Sequence, residues 1–187
     1  MVSRVISLLV ASAALASGAI DFTPVPFEVQ FEGGASQQPG FMNGTSKVTF
    51  APPSGWTLEG AGPELKLTPK DALLSVAWIQ SRRLASDVVS SEATLKSCRD
   101  EVTAALPRNA EAIVWQPVEL NPVLLNQHES ARVEVCYKVL GQSFRATMLV
   151  CNLADQQLRF FLSGRERDYT RIYQDFRRSL YTWQGLK

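Results

Sequence analysis

The only histidine, His128, lies in Asn126-Gln-His-Glu-Ser130, and any Ser-His-Asp or Cys-His mechanism would have to recruit it as the base. No Gly-x-Ser-x-Gly strand-turn-helix elbow accompanies it, so it reads as a solvated loop residue. One histidine also falls short of the two or three that common catalytic zinc sites use. The carboxylate pairs are equally plain. Asp100-Glu101 is expected on the outer face of a first helix. Glu166 and Asp168 stand at the start of a last one, where the helix dipole alone favours negative charge. No Gly-x-Gly-x-x-Gly or phosphate-loop pattern is present, so no nucleotide cofactor is implied. The sequence assigns no catalytic residue, no metal ligand and no cofactor.

Three cysteines, Cys98, Cys136 and Cys151, are odd in number and widely spaced, which is neither a disulfide framework nor a zinc pattern. They read as buried thiols that behave as small apolar side chains. The residues left for binding are the basic ones of the last helix. Arg165, Arg167, Arg171, Arg177 and Arg178 outnumber Glu166, Asp168 and Asp175. The simple account is a solvated face with local ion pairs. The sharper one is an anionic docking surface, with Arg167, Arg171 and Arg178 as its candidates. The tryptophans Trp56, Trp78, Trp115 and Trp183 read as packing residues.

Composition narrows the class. The chain has 187 residues, 45% hydrophobic and 20% charged, with a formal charge of +1. That is enough to bury one self-sufficient core. Residues 1–19 resemble a secretory leader: Arg4 is followed by an apolar run from Val5 to Ala16, with small residues at Ala14, Ala16, Ser17 and Ala19. The run is shorter than the roughly 20 residues a membrane span needs. Without Arg4 the 19 basic residues become 18, equal to the 18 acidic ones. A neutral mature chain lacks the basic excess on which nucleic-acid binding depends. No nucleic-acid partner and no integral membrane association after leader removal are expected. The destination is the periplasm or the exterior.

Residues 20–46 look like a flexible lead-in, with Pro24, Pro26, Gly33-Gly34, Pro39-Gly40 and Asn43-Gly44 and little periodicity. Order is expected from Lys47, giving one α+β domain over 47–187. Strands are expected at Lys47–Phe50, Trp56–Leu58, Glu64–Thr68 and Leu73–Ile79, the last as a continuous apolar run covered on both faces. A helix follows from about Ser90 to Leu106. Its stripe is Leu95, Cys98, Val102, Ala105 and Leu106, with Ser90 or Ser91 as cap. Ile113–Leu120 is a strand whose Pro117 implies an edge position or a bulge. Two strands, Ala131–Leu140 and Ser143–Leu153, flank Gly141-Gln142 as a hairpin.

Pairing Leu140 with Ser143 sets Val133 opposite Val150, Val135 opposite Met148 and Tyr137 opposite Ala146. Cys136 and Cys151 then stand four residues out of step, roughly 13 Å at about 3.3 Å per residue, too far for a bridge. Any disulfide would need Cys98. After a turn at Asp155-Gln156 comes a strand to Leu162, then an amphipathic helix from Asp168 to Trp183, capped by Asp168 and buried along Tyr169, Ile172, Tyr173, Phe176 and Leu180. Leu149, Cys151, Leu158, Phe160 and Leu162 fall on one face of these strands. Val133, Val135, Met148, Val150 and Phe161 fall on the other. A sheet apolar on two sides needs cover on two sides.

Phe50-Ala-Pro-Pro-Ser-Gly-Trp56, the long hairpin around Gly141, and Arg159-Phe-Phe-Leu162 running into Asp168-Tyr169 and an aromatic-rich helix together resemble the superfamily of the photosystem II extrinsic protein PsbP and its Ran-binding relatives. The likeness spans about residues 47–183. It implies an α/β/α sandwich on a mainly antiparallel sheet and a docking or accessory role, and it carries over no functional residues. The expected function is therefore an exported, non-enzymatic binding or accessory protein with a protein partner in the cell envelope. A carboxylate-using envelope hydrolase and a small-ligand carrier are the alternatives.

Overall fold

A computed structural model describes residues 19–31, 33–84, 88–154 and 156–186. Most of the expected leader and the turn residue Asp155 lie outside them. The fold is α+β and mainly antiparallel. Its large sheet runs β4 (Trp56–Ala61), β5 (Glu64–Pro69), β6 (Val76–Arg83), β11 (Gln156–Arg165), β10 (Gln142–Asn152), β9 (Ser130–Val139) and β7 (Glu111–Trp115), with β8 (Glu119–Leu120) also paired to β9. The helices are α1 (Glu92–Ala105) and α2 (Glu166–Leu180).

The three central strands carry the architecture. Tyr169, Ile172, Phe176 and Leu180 of α2 cluster with Leu149, Cys151, Leu158, Phe160 and Leu162. Cys98 and Val102 of α1 cluster with Val133, Val135, Met148, Val150 and Phe161. Strand side chains alternate sides, so these are the two faces of one sheet, divided as the sequence pattern requires.

The hairpin register differs from the expected one by two residues. Val139 pairs with Gln142, which sets Val133 opposite Met148 and Tyr137 opposite Phe144. The loop is Leu140-Gly141, with φ of 49° and 75°, because the favoured two-residue hairpin turn needs positive φ at both positions and places glycine second. A slip of two preserves every face, since the side-chain period is two. Cys136 now stands opposite Arg145, six residues from Cys151, or about 20 Å at ~3.3 Å per residue. All three thiols are free.

The lead-in is the larger correction. Residues 20–46 hold β1 (Ile20–Phe31) and β2 (Gly34–Asn43), which form a three-stranded sheet with β3 (Ser46–Val48). The prolines hide this from a periodicity reading. Pro24 falls in the register irregularity between Asp21 and Val25, and Pro26 lies on β1, an edge strand of the small sheet. Gly40 lies against the Phe27 ring, where a Cβ would collide. The small sheet is tied to the large one at several points. The Ile20 amide donates to Ser81 Oγ (2.9 Å) and Gln156 Oε1 (3.2 Å), and the Phe22 amide donates to the Gly62 carbonyl at 2.6 Å. Beyond α2, Gln184 exchanges backbone bonds with Thr49. Trp183, 2% exposed, stacks on Phe50 at 4.7 Å and meets Phe22 and Phe160 edge-on.

Three smaller expectations also change. Leu73 and Leu74 lie in a surface turn closed by the Ser75 amide on the Ala72 carbonyl, and the strand begins at Val76. The α1 cap is Ser91, whose side chain accepts from the Thr94 amide, and Ala105 is exposed. Helix α2 starts two residues early, at Glu166. Its N-cap, Arg165, offers no side-chain bond, and Asp168 sits inside the first turn.

Trp183 bridges the two sheets, so Trp183→Ala is expected to cost about 3–5 kcal/mol, as large aromatic-to-alanine core changes do. Urea denaturation checks this, with the exposed Tyr181→Ala expected to stay within about 0.5 kcal/mol of the parent.

Candidate functional site

The polar residues of the hairpin gather under α2. Arg132, Glu134, Arg145 and Thr147 sit on the α2 side of β9 and β10, near the end where Leu149 and Cys151 give way to polar residues. The Glu134 carboxylate is buried, its side chain only 8% exposed. It accepts from Arg145 Nη1 at 3.2 Å and from Thr147 Oγ1 at 3.0 Å, and Arg132 Nη1 lies 3.8 Å away. Thr147 also bonds the Tyr169 hydroxyl, and burial pushes that phenol well above its usual range. Arg132 donates to Tyr173 Oη (2.9 Å) and pairs with Glu119 (2.6 Å). The stacked rings of Tyr169 and Tyr173 lie under the Arg145 and Arg132 guanidinium groups. Every charge here has a partner of opposite sign. These contacts join α2 to the sheet.

A second ionic cluster lies on the α1 face. Arg159, 5% exposed, donates to Gln157 and Ser97 and bonds Glu101, which also pairs with Arg82 at 2.6 Å. Glu101 therefore does not face outward as the helix pattern suggested. It turns in because Arg159, on a strand covered from both sides, needs a counter-charge. Asp100 does face solvent and pairs with Lys96.

The remaining candidates do not converge. His128 is half-buried at the end of a tight turn in which Asn126 and Gln127 have positive φ, and its amide bonds the Leu125 carbonyl. Burial pushes the Cys98 thiol up to about 11 and the Cys151 thiol up to about 12, the reverse of a nucleophile's shift. Arg171 pairs with Asp71 at 2.8 Å and Arg178 with Asp175 at 3.5 Å, while Arg167 lines a surface cleft. Arg167 and Arg178 border different clefts.

Two surface features stand out, and neither follows from motif reading. One is a cleft of about 520 Å³ lined by Gln142, Ser143, Arg165, Glu166 and Arg167. The other is the sheet edge made by β7 and β8 laid end to end along β9. Ile113 (46% exposed), Val114 (56%), Leu120 (57%) and Leu124 (53%) lie along or next to this edge. The opposite edge, β4, has β1 beside it. Pro117 correctly marked the open edge, but exposure of both alternating sets of side chains on it is a property of the assembled sheet.

No protein-family model and no curated protein matches the sequence. Solved structures do. LpqN, a protein of Mycobacterium tuberculosis involved in cell envelope biogenesis, matches at TM-score 0.54 and 11% identity, covering 89% of this chain and 94% of its own. At that identity the likeness shows a shared fold. Cyanobacterial PsbP of Synechocystis matches at TM-score 0.46 and 8% identity over 95% of this chain and 98% of its own. PA94 of Pseudomonas aeruginosa, of unknown function, matches at 0.41 and 11% over 84% and 94%. Cyanobacterial PsbP, from the family the sequence resemblance named, is thus among the solved structures that match. Among the described residues, no helix is long and apolar enough to cross a membrane.

Glu134→Ala should leave Arg145 and Thr147 without their buried acceptor and cost about 3–5 kcal/mol, read as a fall in the urea midpoint. The thiols supply a pH test. Because burial holds Cys98 and Cys151 above the unfolded thiol range, the native state keeps protons that the unfolded state releases. Their contribution is present in full below the unfolded thiol pKa near about 9 and is lost as pH rises toward the folded values. Urea midpoints between about pH 8 and pH 10.5 should fall, and should fall less in the Cys98→Ala/Cys151→Ala chain.

Proposed function

We propose that this chain is an exported, non-enzymatic accessory protein that docks a protein partner in the cell envelope through its open β7–β8 edge. In this reading residues 1–19 are removed on export, and the body is an α/β/α sandwich with one helix on each face. The observation that carries the proposal is the asymmetry of the two sheet edges. One is bordered by the chain's own β1, while the other presents strand backbone together with Ile113, Val114, Leu120 and Leu124. An apolar sheet edge left open on a folded chain is a recognised place for a partner to add.

The carboxylates that the fold draws together support docking over hydrolysis, because Glu134 and Glu166 each hold Arg145 and neither is free to move a proton. The cleft at the start of α2 is lined by Gln142, Ser143, Arg165, Glu166 and Arg167, with no large apolar side chain among them, which weighs against a carrier of apolar ligands. The LpqN structure is described as that of an envelope-biogenesis protein, which agrees with the compartment proposed here.

A photo-crosslinking residue at Val114 tests the reading in cells that express the chain. One discrete adduct is expected from Val114 and none from the α2 surface position Thr170. Leu120→Asp should abolish the adduct while shifting stability by no more than about 0.5 kcal/mol, as exposed substitutions do. Equal adducts from both positions would overturn the proposal. So would turnover of an ester or glycoside that Glu134→Gln abolishes.

A further inference from the structure

The cleft between the hairpin end and the start of α2 is a separate feature from the open edge. Its floor and sides bring together the first residues of β10, Gln142 and Ser143, and the junction of β11 with α2, Arg165 to Arg167. Three observations concern its charge. Arg165 is half-buried, its Nε is shut off from solvent without a hydrogen-bond partner, and its guanidinium has no ion pair among the described residues. Among the described residues Arg167 reaches only its chain neighbour Asp168, at 3.5 Å, with its side chain 74% exposed. The one carboxylate lining the cleft, Glu166, is already engaged by Arg145, with Nε at 3.2 Å from one oxygen and Nη2 on the other. Two guanidinium groups thus border a cavity whose one lining carboxylate is already paired with Arg145.

The backbone adds to this. The first turn of the 15-residue α2 opens onto the same place, and its N-cap supplies no side-chain acceptor for the amides there. Amides at a helix start carry the positive end of the dipole and take oxyanions readily.

We propose that this cleft binds a phosphate group, as a free phosphate or a phosphoester headgroup, through Arg165 and Arg167. A tetrahedral phosphate has enough oxygens to accept from both guanidinium groups and from a backbone amide at once. A planar carboxylate, with two oxygens, satisfies fewer of these donors. Ser143 and Gln142 on the opposite wall can bond a further oxygen or an ester substituent. The site is independent of the β7–β8 edge, so either can fail without the other. It also narrows the arginine surface read from the sequence. Arg167 belongs to the site, Arg165 joins it, and Arg171 and Arg178 fall outside it.

The test titrates the full chain at low salt with inorganic phosphate and with glycerol phosphate, followed by calorimetry. In parallel, the chain is co-sedimented with phosphatidylglycerol vesicles and with phosphatidylcholine vesicles. The parent chain is expected to bind in at least one of the phosphate or phosphatidylglycerol arms, and to bind less as salt is raised. Arg165→Gln/Arg167→Gln should weaken that binding by at least about tenfold, since charge-assisted bonds to the anion are lost. Arg171→Gln should leave it unchanged. Binding of the small phosphates identifies a soluble ligand, whereas binding confined to phosphatidylglycerol vesicles identifies a lipid headgroup. Because Arg165 also packs at the helix start, Ser143→Asp serves as a second variant that places a negative charge in the cleft without touching either arginine, and it should lose binding to a similar degree. The proposal is overturned if the parent binds in none of these arms. It is also overturned if the double variant, folded by circular dichroism, keeps its affinity within about twofold or if Ser143→Asp binds as the parent does.

Discussion

The structure depends on one constraint: strands β9, β10 and β11 are oily on both faces, and water must be kept from each. Met148, Val150 and Phe161 point one way, Leu149, Phe160 and Leu162 the other, and all are almost completely buried. Side chains on this scale each bring roughly 1.5–3 kcal/mol when removed from water, so exposing either face would cost more than a domain's whole net stability, typically about 5–15 kcal/mol. The helices, the small sheet and the C-terminal strap all meet this one demand. Trp183 closes the strap over Phe22, Phe50 and Phe160.

The same constraint dictates how charge enters the interior. Arg159 and Glu134 are themselves almost completely buried, and an isolated charge there would be untenable. Each is enclosed by partners, Arg159 by Glu101 and Gln157, Glu134 by Arg145 and Thr147. These contacts tie the buried charges into the fold. At the rim, β7 and β8 leave an edge open, and the hairpin end and the start of α2 leave a cleft between them.

Much of this could be read from residue types. Alternation divided the central strands between the two faces, and it did so even though the hairpin register was off by two, because a period of two cannot distinguish registers that differ by two. Leu140 was the obstacle: a leucine at positive φ is rare, so the turn was placed one residue late. Residues 20–46 were misread for a different reason. Pro24, Pro26 and the glycines imitate a linker, and nothing local shows that Phe22 and Phe50 meet Trp183, more than 130 residues away, with Phe41 packed between them. The binding surfaces were the least legible. Arg165 looked like one basic residue among five, and its lack of a carboxylate appears only once Arg145 is seen to hold Glu166. The openness of the β7 edge emerges only after every other strand has found its neighbours.

Native-state hydrogen exchange tests the central claim most directly, because it measures how firmly each strand is enclosed. The account predicts that amides of residues 130–165 outside the Leu140-Gly141 turn and the connection near 153–155 exchange only through global unfolding, while those of residues 111–120 exchange far faster through local opening. Exchange in β9, β10 and β11 as rapid as at that edge would mean that the two faces are not both sealed, and would contradict the account.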